Sequence, residues 1–450
     1  MKKFLLGFII ACISILLIPL VVMAFRPTNE STDNRRLAEF PSVVDADGGP
    51  NLAFFTGFES WFKDHFAFRN ELIYADAKIQ NDIFKVSNVD NVISGKDGWL
   101  FYTSTLKDYL GTDRLSDREI YNIAHNISIA YDYVKGKGSN FILTVPANKN
   151  TLYGEYMPYY DSLKVDTTQN TDVLAPLLEA KGIPYADLIK GFKEEDEVLY
   201  LKTDSHWSNK GAVLAYNIIM DGLGLAHDDY SQAQVTGIVG EGGDLSKMMY
   251  TFYGDKEDNP VYAIEQNYEY QGNFKSVEDG RIETKGTGEN GRLLMFRDSF
   301  GNTLVPLIAN EFGECFFTRE NLYSLERYVE EKKPDTVIFE KVQRNIEEFI
   351  TMPPIISAPV YEGAALDGPE FEDKKVADDS QVSVKPLEAA ANYYEISGTV
   401  SRDMLETETE ILVNVNGVTY RAYHTGEDTF CVYIKKDVLS LPADIKVFAV

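Results

Sequence analysis

The sequence predicts an α/β fold, a parallel sheet flanked by helices, with an apolar N-terminal transmembrane helix before it and a small C-terminal all-β sandwich after it. Three observations carry this. Between residues 140 and 341, short apolar runs at 141–145, 184–188, 293–296, 315–317 and 336–341 are separated by helical stretches at 171–181, 209–225, 302–312 and 322–331. Apolar strands without clean alternation, spaced by helices, are how a parallel sheet covered on both faces reads. Beyond residue 359 the segments turn β-type at 393–400, 410–415, 418–424, 430–434 and 445–450, with Asn416-Gly417 as a hairpin signal between two of them. At the other end an uncharged run, Phe4–Phe25, follows Lys2 and Lys3. The expected divisions are 1–26, 27–358 and 359–450.

The N-terminal run is long enough to span a bilayer, which needs about 20 apolar residues, and the lysines before it place the N-terminus in the cytoplasm. A retained anchor is the preferred reading. A cleaved signal peptide is the alternative, with Val22-Met23-Ala24 as its cleavage site. Ile9-Ile10-Ala11-Cys12 resembles a lipoprotein box but comes too early, with more apolar chain after it. Either way the remainder of the chain is expected outside the cytoplasm. A polar linker covers residues 27–34. The aromatics Phe55, Phe58 and Phe62 then recur at helical spacing and predict core or a docking face. Asp64 and His65 are adjacent on that helix and do not face each other. Gly95-Lys-Asp-Gly-Trp-Leu-Phe-Tyr102 reads as a turn running into an aromatic strand.

The rhythm of the α/β region fails between residues 235 and 291, which reads as an insertion of hairpins and loops near the site. Within it, Gly237-Ile-Val-Gly-Glu-Gly-Gly243 is glycine-rich with no strand-helix frame, and is expected to be a loop. An acidic stretch, 362–379, precedes the sandwich. The net charge of −27 over 450 residues disfavours general nucleic-acid binding. Three cysteines, Cys12, Cys315 and Cys431, make no disulfide framework. The five histidines, His65, His125, His206, His227 and His424, form no metal-ligand motif, and no cofactor is expected.

The chemistry concentrates in two turns. In Leu201-Lys-Thr-Asp-Ser-His-Trp-Ser208, Asp204 and His206 are two apart, so in extended chain both point to one side. The carboxylate can then fix the imidazole tautomer that a general base needs. Trp207 points the other way, to pack, and Ser208 is placed to cap the following helix. In Leu293-Leu-Met-Phe-Arg-Asp-Ser-Phe-Gly301, a strand enters a tight turn and a helix start. Ser299 is thereby presented at the carboxyl edge of the sheet, where backbone N–H groups suit an oxyanion. Taken alone, Asp-Ser at a helix start is a plain N-cap. Together the two turns favour Ser299 as nucleophile, His206 as base and Asp204 as its orienter. Asn148, in Val145-Pro-Ala-Asn-Lys149, is a candidate oxyanion donor or a simple turn residue. Glu340 and Arg344 are a candidate ion pair lining the cleft or on the surface.

These residues resemble a known family. Thr203-Asp-Ser-His-Trp207 with Gly211-Ala212, Arg297-Asp-Ser-Phe300, Gly95–Phe101, residues 34–41 and Val145-Pro-Ala-Asn-Lys149 look like the alginate O-acetyltransferase type of SGNH-hydrolase-like protein, Gram-positive DHHW branch. The resemblance covers about residues 34–345. Ser205 stands where the branch name has a histidine. The family implies an SGNH-hydrolase-like sheet and acetyl transfer to an exported or cell-surface polysaccharide. It further implies a multi-spanning membrane O-acyltransferase as donor and, in some relatives, a carbohydrate-binding C-terminal sandwich. From the residues themselves, Gly301 and Arg344 join Asn148 as candidate oxyanion or substrate-binding residues. An acetyl esterase using the same three residues, or a non-catalytic glycan-binding scaffold, are the alternatives.

Overall fold

The computed structural model describes residues 2–26, 37–45, 47–250, 256–363, 374–378 and 381–450. The polar linker at 27–34 lies outside these residues, as does most of the acidic stretch, 364–373. The chain divides into two compact units. One comprises Met1–Thr103, Lys202–Ser205 and Gly240–Glu257; the other comprises Ser104–Leu201, His206–Val239 and Asp258–Val450.

In the first unit, α1 (Lys2–Phe25) is the apolar N-terminal helix. Phe4–Phe25 is long and apolar enough to cross a membrane, a description a signal sequence also meets. Helices α2 (Phe54–His65) and α3 (Arg69–Ile79) follow, then the antiparallel pair β1 (Val92–Ser94) and β2 (Leu100–Tyr102). The expected aromatic strand is thus β2. A small core joins Ala77, Val92 and Leu100 to Leu245, Met249 and Tyr250.

The second unit is built on a seven-stranded sheet. Its strands are β3 (Asn140–Thr144), β4 (Tyr185–Ala186), β7 (Tyr268–Gln271), β8 (Arg281–Gly286), β9 (Arg292–Phe296), β10 (Glu314–Thr318) and β11 (Thr336–Glu340). The intervening β5 (Val235–Gly242) and β6 (Lys256–Tyr262) pair with each other. The order in the large sheet is β4-β3-β11-β9-β10-β8-β7. The first five strands run parallel, and β8 and β7 extend the edge antiparallel. The sheet is therefore mixed. The expected insertion of hairpins and loops supplies two of its strands, because β7 and β8 alternate between buried and exposed residues and need only one covered face.

The helices expected at 171–181, 209–225 and 322–331 are found at Asn170–Ala180, Asn209–Leu223 and Leu325–Lys332, and Asp117–Gly136 is a further helix that was not expected. Helix Asp117–Gly136 is capped by a reciprocal Ser116/Glu119 box. Asn209–Leu223 starts on Ser208, whose hydroxyl accepts the Gly211 N–H, and stops at Gly224 in left-handed conformation. The helix expected at 302–312 is instead a 3-10 turn, Phe300–Asn302, followed by Val305–Ala309. Pro306 interrupts the bonding that a continuous helix would need. The glycine-rich stretch expected as a loop holds strand β5, and Asp244–Tyr250 after it is a helix. Gly243 between them approaches the Thr203 backbone so closely that a Cβ would overlap its carbonyl.

The C-terminal region forms two four-stranded antiparallel sheets. With β12 (Lys375–Asp378), β13 (Val382–Pro386), β14 (Tyr393–Thr399), β15 (Ile411–Val415), β16 (Val418–Arg421), β17 (Tyr423–His424), β18 (Thr429–Lys435) and β19 (Ile445–Ala449), the orders are β12-β19-β15-β16 and β13-β14-β18-β17. Asn416 and Gly417, both at positive φ, make the hairpin turn between β15 and β16. Strand β18 is buried on both faces. Phe430, Val432 and Ile434 fill the sandwich, whereas Cys431 and Tyr433 join the main core with Phe141, Phe339 and Phe349. The sandwich is thus fused to the α/β region.

Candidate active site

The site begins where β9 ends. Phe296 is its last residue, Arg297 and Asp298 turn the chain, and Ser299 precedes the 3-10 turn. The turn is fixed from several sides. Asp298 accepts the Phe300 N–H through Oδ1 and the Val342 N–H through Oδ2, each at 2.8 Å. Its own N–H donates to Glu340 Oε2 at 2.7 Å. The Arg297 guanidinium donates to Asn302 Oδ1 at 2.5 Å and to the Val277 and Asp279 carbonyls at 2.8 and 3.0 Å. Burial lowers the Arg297 pKa to about 10. Gly301 is required by space, since a Cβ there would lie 2.8 Å from Arg297 Cβ and 3.1 Å from Glu340 Oε2.

His206 and Ser299 meet. The imidazole Nε2 stands 2.8 Å from Ser299 Oγ, and both residues are half-buried. The ring packs on Phe300 at 4.8 Å between centroids. Trp207 takes the opposite side, as its place in the extended segment predicts. It is buried against Phe300 and Phe192, and its indole N–H donates to Thr303 Oγ1 at 2.6 Å. One hydrogen bond and one edge-to-face aromatic contact therefore tie the histidine loop to the serine turn from the back.

Asp204 belongs to the first unit, where its Oδ2 accepts the Asp244 N–H at 2.9 Å. Asp244 in turn accepts from Ser205, from the N–H at 2.7 Å and from the hydroxyl at 2.5 Å. Glu257 accepts the Lys202 and Thr203 N–H groups, each at 2.6 Å. Ser205 is thus the residue that Asp244 grips.

Asn148 is fully buried and gives an amide hydrogen to Asp108 Oδ2 at 2.8 Å, while its N–H donates to Gln343 Oε1 at 2.9 Å. Among the described residues its Oδ1 has no hydrogen-bond partner. Asp108 is pushed up to about 6, chiefly by burial, with the Asn148 bond and the Arg344 charge opposing. Arg344 lies over the Phe300 ring, 6.0 Å from its centroid. The surface reading of Glu340 and Arg344 is corrected: Glu340 ends β11 fully buried, and its carboxyl accepts the Asp298 N–H. Burial, then the Asp298 charge, raises its pKa well above the ordinary carboxylate value. A second change concerns the backbone donors, because the Phe300 N–H is taken by Asp298. An apolar cavity of about 320 Å³ opens past the turn, lined by Ala212, Val213, Val261, Ile264, Thr303 and Leu307.

Asp108, Asp244, Glu257 and Gln343 were not singled out from sequence. Each is a lone polar residue without a motif, so only the crossing of distant segments reveals it. Asp298 lay inside a quoted motif, and its position before the nucleophile candidate was the available signal.

Among curated proteins no match is found. The solved structure of Bacillus cereus PatB1 aligns at 17% identity over 57% of this chain and 96% of that one, with a TM-score of 0.44. A DHHW family protein from Eubacterium siraeum aligns at 16% identity over 57% and 94%, with a TM-score of 0.42. The O-acetyltransferase domain of Pseudomonas putida AlgJ aligns at 16% over 57% and 92%, with a TM-score of 0.40. At these values the likenesses carry no argument about activity. Residues 92–269 match the family described as SGNH hydrolase-like domain, acetyltransferase AlgX, a span that includes Asp204 and His206 and ends before Ser299. Over that span the chain is similar to an SGNH hydrolase-like domain of the AlgX acetyltransferase type.

Proposed function

We propose that the protein is an extracellular, membrane-anchored O-acetyltransferase that moves acetyl through Ser299 to an exported or cell-surface polysaccharide. The observation that supports this most is the 2.8 Å approach of His206 Nε2 to Ser299 Oγ on neighbouring turns. In the proposed cycle His206 takes the Ser299 proton as Oγ attacks the acetyl carbonyl, and returns it to the departing donor group. The acetyl-serine then reacts with a sugar hydroxyl, whose proton passes to His206 and back to Ser299 as the ester leaves. Asp204 is the proposed orienter of the imidazole. The Ser299 and Gly301 N–H groups are the proposed oxyanion donors, with Asn148 and Arg344 lining the substrate side. The donor is a multi-spanning membrane O-acyltransferase, to which α1 keeps the domain close. The divisions 1–26, 27–358 and 359–450 serve as anchor, catalytic domain and sandwich.

The test is acetate release from an activated acetyl ester, followed by partition between water and an oligosaccharide acceptor. Ser299→Ala should lower the rate at least about a thousandfold with the fold intact, and His206→Ala nearly as much. Asp204→Ala should cost less, because it removes orientation rather than the base. A wild type that always prefers water and deacetylates glycans is an esterase. Equal inertness of wild type and Ser299→Ala, with glycan binding retained, would make the protein a binding scaffold.

A further inference from the structure

The first unit carries an aromatic surface that belongs to none of the buried clusters among the described residues. Helix α2 contributes Phe55 and Phe58 to it, and Leu52 precedes the helix. Leu52 is 96% exposed and Phe55 81%. The segment before α2 is locked onto it. Buried Asp64 accepts the Ala38 N–H at 2.8 Å, and a Cβ at Gly57 would sit 2.8 Å from Pro41. Phe40 is thereby seated edge-on against Phe58 and Trp61, at 6.1 and 4.9 Å between centroids. The surface is a constructed feature, and water-facing rings held in place this way call for an apolar partner.

We propose that this surface docks into the interfacial layer of the lipid bilayer that α1 spans. The inference rests on retention of α1 as an anchor, proposed above. Position in the chain selects the occupant. Phe40 comes 15 residues after Phe25, a separation that reaches about 50 Å at full extension and averages about 20 Å in a flexible chain. The surface therefore stays within reach of the headgroup layer. Its chemistry matches that layer, where Trp and other aromatic rings concentrate. Charge does not drive the docking. The chain carries a net −27 and would be repelled by anionic lipid, and Glu59 on α2 is paired with Lys63 at 2.6 Å. Entry of apolar side chains is the means, and it is insensitive to salt. Docked this way, the first unit, which contains Asp204, is held at the bilayer surface.

Trp61 provides the readout, since Trp99 and Trp207 are 1% and 2% exposed. The full-length chain is reconstituted into phosphatidylcholine–phosphatidylglycerol vesicles with or without brominated acyl chains. Emission should fall in brominated vesicles, at low and high salt alike, and the loss should vanish in Trp61→Phe. It should shrink in the double variant Leu52→Ser/Phe55→Ser, which remains anchored by α1. Trp61 emission untouched by brominated lipid but quenched by aqueous iodide would overturn the docking. So would protection from both quenchers, with cross-linking of Phe55→Cys between copies marking self-association and its absence marking cover by the rest of the chain. A mature N-terminus at Phe25 would instead refute the anchor, and is read separately by N-terminal sequencing.

Discussion

Lys149 is 4% exposed, and its ammonium donates to the Leu201 carbonyl at 3.1 Å. Leu201 opens the loop that carries Asp204 and His206, so this buried cation sets where the loop starts. Lys149→Met keeps the volume and leaves that carbonyl without the donor. A loss of about 1–3 kcal/mol in chemical denaturation is expected, with slower ester turnover by the folded protein. Asp108 gives a second expectation. Its folded pKa, raised to about 6, exceeds the unfolded value of about 3.9. Its contribution is therefore fully present below about pH 4 and lost as pH rises through about 6. Asp108→Asn should accordingly raise the unfolding midpoint relative to wild type at pH 7, and the advantage should fade below about pH 4. The pairing of His206 with Ser299 was legible because both chemistries sit in short motifs at strand-to-helix turns. Asp108 and Gln343 were not, since their roles depend on segments far apart in sequence meeting at Asn148.

At the scale of elements, the apolar runs that became β3, β9, β10 and β11 were readable because parallel strands buried on both faces leave an uninterrupted apolar signature. Strand β4 has only two residues and occupies an edge, so its signal was diluted by the helix Leu188–Lys193 that follows at once. Strands β12 and β13 went unread because neither is strongly apolar. The helix Asp117–Gly136 shows a role that periodicity alone does not reveal. Arg118, Asn122 and Asn126 recur at helical spacing and donate to sandwich carbonyls. Arg118 reaches Glu427 at 2.7 Å and Glu406 at 2.6 Å, Asn122 reaches Gly426 at 2.9 Å, and Asn126 reaches His424 at 2.8 Å. Arg118→Met should cost about 2–4 kcal/mol in chemical denaturation by stranding several carbonyls. The loss should appear in a single transition, because the sandwich and the sheet share one core.

Across the whole molecule, the stacking of His125 on His424, 4.2 Å between centroids, marks where sandwich and helix are joined. His424 Nδ1 lies 2.7 Å from Asn122 Oδ1, and its Nε2 accepts the Ile411 N–H at 3.2 Å, which assigns a neutral ring. Burial, then the neighbouring His125, drives its pKa well below the ordinary histidine value. A depressed folded pKa gives stability that is present above the unfolded value, about 6.5, and lost as pH falls from there toward the folded one. Thermal midpoints measured downward from pH 8 should therefore drop below about pH 6.5, and less steeply in His424→Gln. The sandwich itself was legible from its β-type segments and the Asn416-Gly417 turn. Its fusion was not, because β-type segments do not say which of their faces are covered. That fusion has a consequence in time. The Arg118 side chain binds a carbonyl 309 residues further along the chain, so at about 5–20 residues per second some 15–60 s of synthesis separate the helix from its partner. Throughout that interval the residues that will receive the sandwich lack their partner, which leaves the nascent chain open to misassembly until the last strands emerge.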